Sequence, residues 1–85
     1  MEWVHYAQSV ATGLRRLRHE AGLSQEDVAY RAGITRYTYQ KYEKGESRPG
    51  EPINPTLRSL LAIAQVLGVE LSVLLPASPP DLRTR

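Results

Sequence analysis

The sequence predicts an all-α fold, a compact bundle of five helices. Three observations predict it. Apolar residues recur at spacings of three and four, no stretch alternates with the period of two that a half-buried strand requires, and glycines stand where successive helical patterns stop. With 85 residues the chain is one domain at most, and a domain this small buries only about 60% of the surface of its unfolded chain. It has no cysteine, so neither a disulfide framework nor a thiolate metal site can staple it, and packing or a partner chain must hold it together.

Helix one follows from Val10, Leu14, Leu17 and Ala21, which share one stripe; it is expected to begin near Val4 and to end at Gly22. Helix two, Gln25 to Ala32, opens on "LSQEDV". Here Ser24 can cap the helix, Asp27 can answer it as a capping box, and Leu23 with Val28 can form a hydrophobic staple. Gly33 ends it, and the pattern repeats with Thr35 as N-cap of helix three and Ile34 with Tyr39 as staple. Two short helices are thus joined by a turn of very few residues. The segment 46–54, "ESRPGEPIN", is read as a loop without periodicity. Asn54 as cap and Pro55 at the first helical position open helix four, with Leu57, Leu60, Leu61, Ala64 and Leu67 inward and Gly68 as its end. A last turn or two spans about Glu70 to Leu75. The remainder, "PASPPDLRTR", is too polar and proline-rich to pack, so the expected organisation is one domain over 1–75 and a disordered tail over 76–85.

The net charge of +2 is mild, but its distribution is uneven: Arg31, Arg36, Lys41, Lys44 and Arg48 fall close together, whereas 49–75 holds Arg58 alone as a cation. Such clustering suits a polyanion. The start "MEWVHYAQSV" lacks the basic and apolar regions of a secretory signal, and "LRSLLAIAQVLGVELSVLL" is interrupted by Arg58, Gln65 and Glu70, so two buried helices and a cytoplasmic protein are expected rather than a membrane span. His19 beside Glu20 lacks a second ligand at H-E-x-x-H spacing, and there is no nucleophile elbow and no glycine-rich phosphate loop. No catalytic residue, metal or cofactor is read.

"LSQEDVAYRAGITRYTYQKYEKG" resembles the helix-turn-helix of the Cro and phage-repressor family, also called XRE. Gln25 opens the second helix, Ala29 is the small residue where the two helices cross, Gly33 makes the turn and Ile34 follows it. "NPTLRSLLAIAQVLGVELSVLL" resembles the family's fourth and fifth helices, so the likeness runs from about Ala11 to Leu75. The resemblance implies a lambda-repressor-like DNA-binding domain, an ion pair between Arg18 and Glu43 that joins helix one to the end of helix three, and a phosphate contact by Gln25. Two features depart from the family pattern. The connection between Gly45 and Asn54 is long, and Tyr39 and Tyr42 stand where the family has aliphatic or mixed apolar residues.

At about 100° per residue, Tyr39, Tyr42 and Glu43 fall on one side of helix three with the cap Thr35, while Tyr37, Lys41 and Lys44 point the other way with Arg36 and Gln40 on the flank. Two tyrosines therefore belong to the core and one, Tyr37, to the outer face. A helix fits the major groove, and base edges are read by long polar side chains near the helix N-terminus. The set expected at DNA is Gln25, Thr35, Arg36, Tyr37, Gln40, Lys41, Lys44 and Arg48, with Gln25 over a phosphate at the start of helix two. The function expected is a sequence-specific, double-stranded DNA-binding transcriptional repressor. One reading helix covers few base pairs, so a homodimer on a palindromic operator is expected, with Trp3, Val73, Leu75 and the segment Pro49 to Ile53 as candidate contact surfaces. A separate ligand-sensing domain is not expected. The rival is an antitoxin or bridging factor of the same fold whose partner is a protein.

Overall fold

The computed structural model describes residues 2–84; Met1 and Arg85, the outer ends of the two regions read from the sequence, lie outside the described residues. Among the described residues the chain forms five α-helices and one short antiparallel hairpin: α1 Glu2–Glu20, α2 Gln25–Ala32, α3 Arg36–Lys44, β1 Glu46–Arg48, β2 Glu51–Pro52, α4 Leu57–Leu67 and α5 Leu71–Leu74. No helix among them is long and apolar enough to cross a membrane.

Local chemistry sets the helix ends. Ser24 Oγ accepts from Asp27 N at 3.0 Å while Asp27 Oδ2 accepts from Ser24 N at 3.1 Å, a complete capping box that satisfies two otherwise orphaned donors. Thr35 caps α3 in the same manner, accepting from Thr38 N at 3.0 Å. Between them Gly33 takes the left-handed conformation, and its N–H returns to the last turn of α2. The cap of α4 is Thr56, which accepts from Ser59 N at 3.1 Å, rather than Asn54; with two candidate caps before one helix, the side chain nearest the first free N–H prevails. The start of α1 at Glu2 likewise precedes Val4, because Trp3 and Tyr6 stack one turn apart with ring centroids at 5.8 Å.

The core lies between α1 and the other helices. Ala7, Val10, Leu14 and Leu17 of α1 meet Val28 and Ala29 of α2, Tyr39 and Tyr42 of α3, Ile63 and Ala64 of α4 and Leu74 of α5. On α4 the inward stripe is Leu60, Ile63, Ala64 and Leu67, so Leu57 and Leu61 face outward at 65% and 41% exposure. In "LLAIA" nearly every position is apolar, so the sequence carries little contrast from which to read the helix rotation.

The segment 46–54 is a hairpin and not an unstructured loop. Pro49 and Gly50 make its tip, with Gly50 at φ 82°, the arrangement that a proline and a glycine at the two central positions of a type II turn favour. Glu46 pairs with Pro52 and Arg48 with Glu51, leaving Ser47 as the extra residue of a bulge. Glu46 Oε2 accepts from Gly50 N at 3.1 Å, which holds the tip against its own base. Ile53 then enters the core at 2% exposure, and its N–H donates to Gly45 O at 3.1 Å. Ile53 is therefore a core anchor and not part of an exposed contact surface. Beyond α5, residues 76–84 carry no helix or strand, yet they begin against α1: Tyr6 Oη donates to Pro76 O at 2.9 Å, and Pro76 to Asp81 line a cleft with Glu2, His5, Tyr6 and Ser9.

Candidate nucleic-acid interface

The site is built on α3, whose inner face is fixed before its outer face can act. Tyr39 is fully buried and Tyr42 is 9% exposed, both in the core. Glu43, 2% exposed, receives Arg18 from α1 through two hydrogen bonds, Nε to Oε2 at 2.6 Å and Nη2 to Oε1 at 3.0 Å, a bidentate pair of the geometrically strongest kind. Arg18 also donates from Nη1 to Leu23 O at 2.9 Å, so the guanidinium ties α1, the α1–α2 turn and α3 together. Burial alone would raise the Glu43 pKa, but the neighbouring Arg18 guanidinium, then the Tyr39 hydroxyl and the Gln25 amide, outweigh it and hold the carboxyl below its usual range. The Glu43 hydrogen bonds raise Arg18 in turn.

Two further side chains of α1 satisfy the C-terminal carbonyls of α3. Arg15 Nη1 donates to Glu43 O, and Gln8 Nε2 donates to Lys44 O at 3.2 Å. Gly45 ends the helix at φ 84°, a conformation that favours glycine, and a Cβ there would push aside the Gln8 amide that caps Lys44 O. The sequence reading missed Arg15 and Gln8. Their partners lie 28 and 36 residues away, and nothing local marks a side chain as a cap for a distant helix.

The outer face of α3 carries Arg36, Tyr37, Gln40 and Lys44, all exposed, with Lys41 half-buried among them. Lys41 Nζ stands 4.3 Å from the centroid of the Tyr37 ring, a cation–π contact that orders both long side chains. Arg36 approaches Glu26 only to 4.0 Å across exposed surface, a contact of the kind that contributes about 0–1 kcal/mol and releases easily. Thr35 spends its hydroxyl inside the first turn, accepting from Thr38 N and donating to Thr38 Oγ1 at 2.9 Å. The hairpin folds back so that Arg48 joins Tyr37, Gln40, Lys41 and Lys44 around a groove of about 360 Å³. Five of the eight side chains expected at DNA thus meet at one groove. Gln25 and Arg36 lie outside that lining, at the N-termini of α2 and α3.

Gln25 is not a lone anchor. Its Nε2 donates to Glu43 Oε1 at 3.0 Å, and its Oε1 accepts from Gln40 Nε2 at 3.4 Å. It is half-buried and connects the core pair with the outer face.

Two short helices joined at a left-handed glycine, the second presenting long polar and cationic side chains, define a DNA-binding transcriptional regulator of the helix-turn-helix class. A family model described as "Helix-turn-helix domain" matches residues 10–75. The HTH-type transcriptional regulator y4dJ of Sinorhizobium fredii is 34% identical over 77 residues, covering 89% of this chain and 92% of that protein. The SPbeta prophage-derived HTH-type transcriptional regulator YonR of Bacillus subtilis is 37% identical over 62 residues, 73% of this chain, and the chain spans about half of its length (52%). The crystal structure of the restriction-modification controller protein C.AhdI from Aeromonas hydrophila superposes with a TM-score of 0.70 at 32% identity, covering 80% of this chain and 94% of that one. The chain belongs to the helix-turn-helix family, in its Cro and phage-repressor (XRE) branch.

Proposed function

We propose that the protein is a sequence-specific repressor that binds double-stranded DNA as a homodimer on a palindromic operator, with α3 in the major groove. The observation that carries this reading is the division of α3: one face is locked to α1 by a buried bidentate ion pair, and the other presents Arg36, Tyr37, Gln40 and Lys41 toward solvent. Arginine bonds guanine O6 and N7 bidentately, glutamine bonds adenine N6 and N7, and a tyrosine ring packs against a thymine methyl. The free N–H of Gln25, with the N-terminus of α2 behind it, donates to a phosphate, and Lys44 and Arg48 add contacts that any sequence accepts. Residues 1–75 form the DNA-binding unit, and 76–85 stand outside it. The reading includes no catalytic step, metal or cofactor, and it places the protein with DNA in the cytoplasm.

A homodimer matches half-sites spaced by about 34–36 Å. Val73 and Leu75, 49% and 41% exposed, remain candidates for its contact surface, whereas Trp3 is half-buried against Tyr6. Restriction-modification control, the role in the name of C.AhdI, is one form that such repression takes, beside phage repression and antitoxin autoregulation. One observation favours a protein partner as a second reading: Leu57 and Leu61 expose apolar surface beside Ala32 and Arg58 along a groove of about 470 Å³.

Selection of duplexes from a random pool, followed by sequencing, tests the proposal. An enriched two-fold symmetric sequence, bound with an affinity that falls steeply with salt, is the expected result. Protein that shows no salt-dependent affinity for any duplex and co-purifies with another chain would overturn the DNA reading in favour of the protein-partner one.

A further inference from the structure

The hairpin that carries Arg48 begins and ends at Gly45. It leaves the helix covalently there and returns there, since Ile53 N donates to Gly45 O at 3.1 Å. Gln8 of α1 grips the same point: its amide donates to Lys44 O at 3.2 Å and occupies the space that a Gly45 Cβ would need. Gln8 lies in the second turn of α1, near the end of the helix, where helices fray. Two things hold that end. Ala7 packs into the core at 1% exposure, and Tyr6, about 200° round the helix from Gln8, donates from Oη to Pro76 O at 2.9 Å with Trp3 stacked on its ring. From Pro76 the tail crosses the start of α1 as a stiff strap, with Pro79 and Pro80 fixing its backbone and a left-handed turn at Ser78, φ 61°. Both parts of this contact, 2–9 and 76–84, lie outside the stretch 10–75 that the helix-turn-helix model matches.

We propose that the tail 76–84 is a clasp for the reading helix: held by Tyr6, it keeps the start of α1 wound, so that Gln8 stays on Lys44 O and the hairpin stays beside the outer face of α3. The signal such a device answers is the loss of the tail from α1. The chain then needs no separate sensing domain, because the control sits on the flanks of the DNA-binding unit. The inference rests on the DNA-binding reading above and adds a control to it.

The test compares the full chain with a chain that stops at Leu75, with Tyr6→Phe, with Gln8→Ala, and with the shortened chain carrying Gln8→Ala. Hydrogen exchange without DNA is followed at the helical amides of Tyr6 to Ser9 and at the amides of Gly45 and Ile53, and affinity for the selected duplex is measured over a range of salt. Tyr6→Phe is expected to speed exchange at all of these amides by about two- to tenfold, the share of one hydrogen bond, and removal of the tail by more. Gln8→Ala should speed exchange at Gly45 and Ile53 and leave Tyr6 to Ser9 protected. With Gln8 already replaced, removal of the tail should add nothing at Gly45 and Ile53. Operator affinity should fall when the tail is removed, with the slope of log affinity against log salt unchanged, since no phosphate contact is lost. The clasp is overturned if Gly45 and Ile53 keep wild-type protection in both the shortened chain and Tyr6→Phe, or if removal of the tail reduces the salt slope, which would make the tail cations direct phosphate contacts. Tyr6→Phe decides the matter if the shortened chain does not fold. A pool that yields no enriched sequence would sink the DNA-binding reading itself, while the exchange rates still decide whether the tail controls the end of α3.

Discussion

Tyr37 and Tyr39 lie two residues apart on one helix, yet one is 69% exposed and the other fully buried. The residue type is the same, and the backbone rotation of about 100° per residue makes the difference. Tyr39 fills the space under α1 beside the Arg18–Glu43 pair, whereas Tyr37 lies under the Lys41 ammonium on the outside. α3 therefore has two faces of different character, one buried and one open to solvent. Its inner face packs into the core, its outer face carries the proposed DNA contacts, and substitutions on the two should fail by different assays.

The largest effects belong on the inner face. Tyr39→Ala empties a site at the centre of the core and should cost about 3–5 kcal/mol of unfolding free energy. Glu43→Ala leaves the Arg18 guanidinium, itself 9% exposed, without its carboxylate, and should cost a similar amount, about 3–5 kcal/mol. Denaturant unfolding measures both. A Glu43→Ala protein that melts within a degree or two of wild type would show that the pair contributes no more than an exposed one. The pair also sets an acid limit. Because the folded pKa of Glu43 is lowered, its stabilisation is present above the ordinary carboxylate pKa and is lost as pH falls through the folded value. Wild type should lose stability below about pH 4, and the gap between wild type and Glu43→Ala should narrow there.

Next in size is the base of the hairpin. Ile53→Ala removes a buried side chain from the residue that returns the hairpin to the core, with an expected cost of about 2–5 kcal/mol. Ile53 anchors the segment that carries Arg48 to the groove, so this substitution should touch both stability and the proposed DNA contacts, which the two faces of α3 divide. The informative outcome is a loss of operator affinity, measured well below the melting temperature, that exceeds the loss in Arg48→Ala. Equal losses would mean that the hairpin positions Arg48 and nothing else.

On the outer face the effects move from stability to binding. Arg36→Ala should cost about 1–3 kcal/mol on the selected operator and much less on random duplex, because a bidentate base contact discriminates only where the right base is present. Lys44→Ala should weaken both alike and reduce the slope of log affinity against log salt by about one per subunit. Neither should change the melting temperature, since both side chains are exposed. Unfolding caused by either variant would break the division of the helix.

The sequence made the helix-turn-helix legible because its signals are local and redundant. Ser24, Asp27, Gly33 and Thr35 each carry a capping function within three or four residues of the group they satisfy. The rotation of α3 was legible for the same reason: polar and apolar side chains alternate on it with contrast enough to fix two faces. On α4 that contrast is missing, so the sequence pattern points Leu61 inward where the structure buries Ile63. The hairpin was hidden by length, since a three-residue strand and a two-residue strand are too short to show a period, although Pro49–Gly50 is a turn signal. The hydrogen bonds that join Glu43, Gln25 and Gln40 were out of reach for a further reason. The three residues sit at positions 25, 40 and 43, and only the folded chain shows that a buried charge faces an amide.

The smallest expected effect separates the two tyrosines most cleanly, because it removes one oxygen atom from each. Tyr39 Oη is buried and meets no hydrogen-bond partner of ordinary geometry, although the Glu43 carboxylate lies close by. A buried hydroxyl without a partner opposes folding, so Tyr39→Phe should change stability by no more than about 1 kcal/mol at neutral pH, and in the stabilising direction if anything. It should leave operator affinity unchanged. Tyr37→Phe should also leave the melting temperature unchanged, and any effect it has should fall on the operator. Alkaline pH adds a second test at the hidden site. Burial, and then the neighbouring Glu43 carboxylate, raise the Tyr39 phenol well above its ordinary pKa. A group whose folded pKa is raised contributes stability that is complete below its unfolded pKa and falls as pH rises beyond it, here above about pH 10. Wild type should therefore lose stability in that range more steeply than Tyr39→Phe, while Tyr37→Phe should follow wild type. If the two phenylalanine variants exchange these behaviours, the inner and outer faces of α3 have been assigned the wrong way round, and the base contacts named for the outer face fall with that assignment.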